Sequence, residues 1–316
     1  MIWFWIGLGI LSIALSVVIS SGIYFFGRVF LRADKTEQTE LEAKARLERQ
    51  GHPEIFPKIL AGKEYMASLQ FEQVEITAFD GITLRGRYFK NPNPCGMTVV
   101  LSHGYKSYPD YDFGHVCKIY VERGCDLLIP WFRAHGMSDG KYTTLGAWEK
   151  RDLVSWLNWL EKKTSPTEKI VLAGMSMGST VSLLAAADPN APENLCGVIA
   201  DCGFLSIRRE ISDVLKSVGF PRFPILWSGG IVSRLRLGVC LDDFSTVNEV
   251  KKIRVPILFI HGAADTFVPP DSSQKNFEAA TCPKKLVLVD GAQHCYAYHT
   301  NEALVGGSIT EFLNSL

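Results

Sequence analysis

From Phe71 onward the sequence repeats one arrangement: a short, continuously apolar run, a longer stretch with helical periodicity, then another apolar run. Few folds accept that pattern. A strand that is apolar on both faces has to lie inside a parallel sheet covered by helices on both sides. Residues 98–102, 126–130, 170–173, 197–201, 257–261 and 286–290 are read as such strands. Two earlier segments, 71–78 and 83–89, alternate apolar and polar residues on either side of Asp80-Gly81 and predict an antiparallel hairpin. The expectation is an α/β fold with a mostly parallel, eight-stranded sheet, which a chain of 316 residues is long enough to bury. The interval from about 203 to 250 exceeds a simple crossover and is read as a helical cap.

The N-terminus obeys a different rule. From Ile2 to Gly27 no residue is charged, which exceeds the roughly 20 apolar residues needed to cross a bilayer. The run is longer than the core of a signal peptide, no basic segment precedes it and no small-x-small site follows, so an uncleaved transmembrane helix is expected. Trp3, Phe4 and Trp5 at one end and Tyr24, Phe25 and Phe26 at the other suit the two interfaces. Arg28, Arg32 and Lys35 follow the span and place its C-terminal side, with the catalytic domain, in the cytoplasm. The organisation expected is an anchor over 1–31, a juxtamembrane linker over 32–70 with a charged helix at 34–50, and the α/β domain over 71–316.

Thirty-three basic residues balance 33 acidic ones, and no dense basic run tracks a phosphate backbone, so nucleic acid is not an expected partner. The eight cysteines have no metal-ligand spacing and are read as free thiols of a reducing compartment.

Chemistry enters at Gly174-Met175-Ser176-Met177-Gly178, which follows a strand and precedes an Ala- and Leu-rich helix. That turn lifts a serine hydroxyl above the sheet at the positive end of a helix. A serine needs a base, and His294, just beyond the last strand, is the candidate. Asp265, beyond the preceding strand, is the candidate to orient its ring, with Asp201 as competitor. The backbone N–H groups of Met177 and Tyr105 are the candidates for stabilising an oxyanion. His103 and His261 are read as structural groups bordering the site, and His115, His135 and His299 as solvated or capping.

The run from about 71 to the C-terminus resembles the α/β-hydrolase superfamily, in particular its anchored bacterial members related to serine aminopeptidases (S33) and esterases. The resemblance rests on Leu101-Ser102-His103-Gly104, Arg133-Ala134-His135-Gly136-Met137-Ser138, Gly174 to Gly178, Pro256 to Asp265 and Gly291 to His294. Trp131 and Ala134 stand where the family often has Asp and Gly in the segment after the fourth strand. The implied activity is a carboxylesterase-like serine hydrolase working through an acyl-serine, with no metal or organic cofactor. Its expected partners are a small acyl ester or peptide substrate and the membrane, lipid-derived esters included, with Phe204, Phe220, Phe223 and Trp227 of the cap as an apolar acyl wall. The alternatives are a serine aminopeptidase or thioesterase on the same fold, and an inactive hydrolase-like scaffold.

Overall fold

The computed structural model describes residues 1–32, 40–49, 51–165 and 167–316. Lys35 and the remainder of the expected charged helix beyond 40–49 lie outside the described residues. The chain opens with helices α1 (Ile2–Phe30), α2 (Glu40–Arg49) and α3 (Ile55–Ser68), followed by strands β1 (Glu72–Thr77), β2 (Thr83–Phe89) and β3 (Met97–Ser102). Helices α4 (Pro109–Phe113) and α5 (Cys117–Glu122) lead to β4 (Asp126–Pro130), and α6 (Glu149–Lys163) to β5 (Lys169–Met175). After α7 (Met177–Ala186) and β6 (Leu195–Asp201) come the cap helices α8 (Ile207–Ser217), α9 (Ile225–Leu237) and α10 (Thr246–Glu249). Strand β7 (Ile257–Gly262), α11 (Asp271–Ala279), β8 (Lys284–Val289), α12 (Ala297–Thr300) and α13 (Glu302–Ser315) complete the fold.

All eight strands join one sheet in the order β1-β2-β4-β3-β5-β6-β7-β8. The first two pairings, β1 with β2 and β2 with β4, are antiparallel, and the remainder are parallel. The central strands β3, β4 and β7 are buried along their whole length, as their unbroken apolar runs require. β8 departs from the expected boundaries because it is the sheet edge: it begins at Lys284 and Lys285, which are exposed and carry no apolar signal.

Strand order places the site. β3 lies between β4 and β5, so the chain leaves β3 in one direction across the sheet and continues from β5 in the other. Loops at such a reversal diverge and leave a crevice at the carboxyl ends. Ser102 pairs with Gly174 in register, which brings the loop after β3 beside the loop after β5.

The described part of the segment read as a linker packs against the rest of the chain. Leu47, Ile55 and Ile59 form a small apolar cluster with Tyr296, and Met66 is buried beneath the sheet. Charged residues dominated the sequence there, although the apolar positions recur on one helical face. α1 also meets the domain: Gly22, Phe25, Phe26 and Phe30 are buried, whereas the residues before Ser21 are exposed apart from a partly covered Val18. The contact is with α9, where an added Cβ on Gly22 would lie 2.8 Å from Ser228.

Candidate active site

The turn between β5 and α7 holds Ser176 at φ 54° and ψ −116°, a conformation that strains any residue with a Cβ. Close packing enforces it. A Cβ on Gly178 would lie 1.8 Å from the Ser102 carbonyl oxygen, and one on Gly174 2.3 Å from that of Gly178. The Ser176 N–H donates to the Asp201 carbonyl at 2.9 Å, tying the turn to the end of β6.

His294 Nε2 lies 2.9 Å from Ser176 Oγ, and its Nδ1 lies 2.6 Å from Asp265 Oδ2. The Asp265 side chain is fully buried, and its other oxygen accepts from the Phe267 and Val268 N–H groups, each at 2.9 Å. Burial raises the pKa of this carboxyl, but hydrogen bonds from His261 and His294 outweigh it and bring the net value down to about 2. For His294, burial lowers the pKa, while the Cys202 sulfur and the Asp265 carboxylate raise it, and the net direction is well above free histidine. Burial also keeps the Cys202 thiol protonated, so the Asp265 carboxylate supplies the upward pull. Asp201, the competing acid, does not reach the imidazole: its Oδ1 has no partner among the described residues, and burial pushes its carboxyl up to about 6.

The loop after β3 is held by residues that sequence reasoning undervalued. Gly104 N–H donates to Asp112 Oδ2 at 2.7 Å, and Lys106 N–H donates to His135 Nε2 at 2.9 Å. The two bonds flank Tyr105. The His135 ring donates from Nδ1 to the Arg133 carbonyl at 2.8 Å, and His103 Nε2 accepts from Phe132 N–H at 3.1 Å. His135 is therefore a buried clamp between two loops rather than a solvated group. The signal was its place in the segment Arg133-Ala134-His135-Gly136. His299 is buried as well, with its ring 4.0 Å from that of His115. His261 is wholly buried and bonded to Ser273 and the Val268 carbonyl, with its Nε2 3.4 Å from Asp265 Oδ2. The Tyr105 and Met177 N–H groups donate to no protein acceptor among the described residues.

Ser176 opens into an apolar cavity of about 570 Å³, within the usual range for a small-molecule site. The core supplies Tyr105, Leu145 and Phe267, and the cap supplies Phe204, Ile211, Val214, Leu215, Val218, Phe220, Ile225 and, among the described residues, one carboxyl, Glu210. The remaining wall is α1 itself, through Ser21, Tyr24, Phe25, Arg28 and Val29. Of the four aromatics expected in an acyl wall, Phe204 and Phe220 are present; Phe223 and Trp227 lie outside it and are 73% and 56% exposed.

Residues 31–224 match the family model of X-Pro dipeptidyl-peptidases (S15), and residues 137–315 match that of the prolyl oligopeptidase family. The chain belongs to the α/β-hydrolase superfamily. Among curated relatives, the uncharacterized protein YqkD of Bacillus subtilis is 29% identical over 252 residues, covering 78% of this chain and 82% of YqkD. The polyketide transferase ATR5 of Stachybotrys chlorohalonatus is 32% identical over 277 residues, covering 72% of this chain and 91% of ATR5. The Pf2001 esterase of Pyrococcus furiosus has a TM-score of 0.64 at 26% identity, covering 78% of this chain and 93% of that one. These matches support serine hydrolase chemistry in this α/β-hydrolase.

One group near the site has metal-ligand character: the ligand atoms of Cys202, His294 and Cys295 lie within 4.8 Å of one another. It falls short of the four ligands of a structural zinc site and shares its imidazole with Ser176 and Asp265. All eight cysteines are free thiols, and the two here have their sulfurs 3.6 Å apart.

Proposed function

We propose that this α/β-hydrolase cleaves carboxylic esters by acyl transfer through Ser176. His294 accepts the Ser176 proton as the hydroxyl attacks the carbonyl carbon and then delivers it to the leaving alcohol. A water, deprotonated by the same ring, releases the acid from the acyl-enzyme. Asp265 fixes the tautomer with Nδ1 protonated and stabilises the imidazolium that forms. Met177 and Tyr105 direct N–H groups at the oxyanion. The observation that carries this reading is the continuous chain of two hydrogen bonds, 2.9 Å from serine to imidazole and 2.6 Å from imidazole to carboxylate.

Ester rather than aminoacyl substrates are favoured by the character of Glu210, the single carboxyl that lines the cavity among the described residues. Burial pushes Glu210 up to about 8, so near pH 7 it is mostly neutral and offers a hydrogen bond rather than a counter-charge to an ammonium. The same proposal makes 1–31 a single-pass membrane anchor, 32–70 a helical juxtamembrane segment and 71–316 the catalytic domain with its cap at 203–250. α1 is long and apolar enough to cross a membrane. Arg28 and Arg32 at its C-terminal end favour a cytoplasmic domain.

Pre-steady-state hydrolysis of p-nitrophenyl butyrate tests the mechanism. The expected trace is a burst of p-nitrophenol stoichiometric with enzyme, absent from Ser176→Ala; no burst and no turnover by the folded protein would remove the acyl-enzyme reading.

A further inference from the structure

The helix that anchors the chain is also a wall of its catalytic cavity, and its length fixes where the membrane surface must lie. A span needs about 20 residues, so the 29 residues of α1 leave about two and a half turns beyond the hydrocarbon. Burial begins at Gly22, and Tyr24, Phe25, Arg28 and Val29 face the cavity. The bilayer surface therefore falls at the level of the α1–α9 contact and of the cavity.

The cap carries an unpartnered apolar face beside that contact. On α9, Trp227, Ile231 and Leu235 recur every fourth residue and form one exposed stripe, which Phe223 extends. Val218 and Phe220 are exposed too, and they also line the cavity, so the face runs to its mouth. Arg222, Arg234 and Arg236 flank the stripe, exposed and outside any ion pair among the described residues. An aromatic and aliphatic stripe bordered by unpaired arginines, next to a transmembrane helix, matches the interface of an anionic bilayer.

We propose that the cap face of α9 docks on the membrane that α1 crosses, so that the cavity takes long-chain acyl esters directly from the bilayer along α1. The carbonyl reaches Ser176 while the acyl chain lies between α1 and the cap. This rests on the esterase reading above, and the test separates the two.

Full-length protein is reconstituted in vesicles of phosphatidylcholine and phosphatidylglycerol and assayed with 4-methylumbelliferyl palmitate in the bilayer and 4-methylumbelliferyl butyrate in solution. In the double variant Trp227→Glu, Leu235→Glu, palmitate turnover is expected to fall by about tenfold or more while butyrate turnover stays within about twofold. Arg234→Gln with Arg236→Gln is expected to lose the stimulation that phosphatidylglycerol gives the wild type. Equal palmitate turnover in wild type and glutamate variant overturns the proposal. So does a detergent-phase dimer that the glutamates dissociate without touching palmitate turnover, since the face then binds a second copy. Absence of butyrate hydrolysis in the folded wild type overturns the esterase reading itself.

Discussion

Phe25 of α1 lies against Gly229 of α9 so closely that a Cβ on the glycine would meet the Phe25 ring at 2.3 Å. The ring both closes this helix pair and lines the cavity at Ser176. Gly229→Leu should therefore push α1 off the cap and open one wall. The overpacking is expected to cost about 1–3 kcal/mol. KM for a long-chain ester should rise with little change in kcat for a short soluble one, and steady-state kinetics in detergent with a thermal melt read both.

The division of labour between the two acids is separable by mutation. Asp265→Asn should lower kcat by about 10⁴-fold, because an amide no longer favours the tautomer with Nδ1 protonated. Asp201→Asn, which keeps the main-chain carbonyl that accepts from Ser176, should lower it by less than about tenfold. Equal losses in the two would show that the acids share the role.

His135 is a positioning residue. His135→Phe leaves the Lys106 N–H without its acceptor and should cost about 1–3 kcal/mol of loop order. Because the damage falls beside Tyr105, kcat should drop while KM changes little, and a boronate that mimics the tetrahedral adduct should lose affinity in proportion to kcat. A change in KM alone would mark a role in substrate binding.

Two groups set the pH response. His294 must be neutral to take a proton, so kcat/KM rises with pH through its pKa, and the limb should lie above the ordinary value of about 6.5. Glu210 acts on stability with the opposite slope. Its folded pKa of about 8 exceeds an unfolded value of about 4.3, so its contribution is complete below the lower value and is lost as pH rises to the upper. Glu210→Gln should remove that loss, and its Tm advantage over the wild type should grow between about pH 5 and pH 8.

The sheet was readable because buried parallel strands leave unbroken apolar runs, and all eight were found within a few residues. That Ser176, His294 and Asp265 meet was readable because each follows a strand at the carboxyl edge, where topology alone brings them together. The clamp at His135 and Asp112 was not, since a hydrogen bond between distant loops has no periodicity. Nor was the part played by α1: an apolar run looks the same whether its last turns enter lipid or form the wall of a cavity. Phe223 and Trp227 look like members of that wall for the same reason, because apolar character does not tell which face of a cap helix turns inward.

The central claim is that Ser176 is an activated nucleophile, and reaction of the detergent-solubilised protein with a fluorophosphonate tests it most directly. One modified peptide is expected, carrying the label on Ser176, with labelling lost in Ser176→Ala and strongly slowed in His294→Ala. A folded wild-type protein that does not react, or one labelled elsewhere while Ser176 stays free, would contradict it.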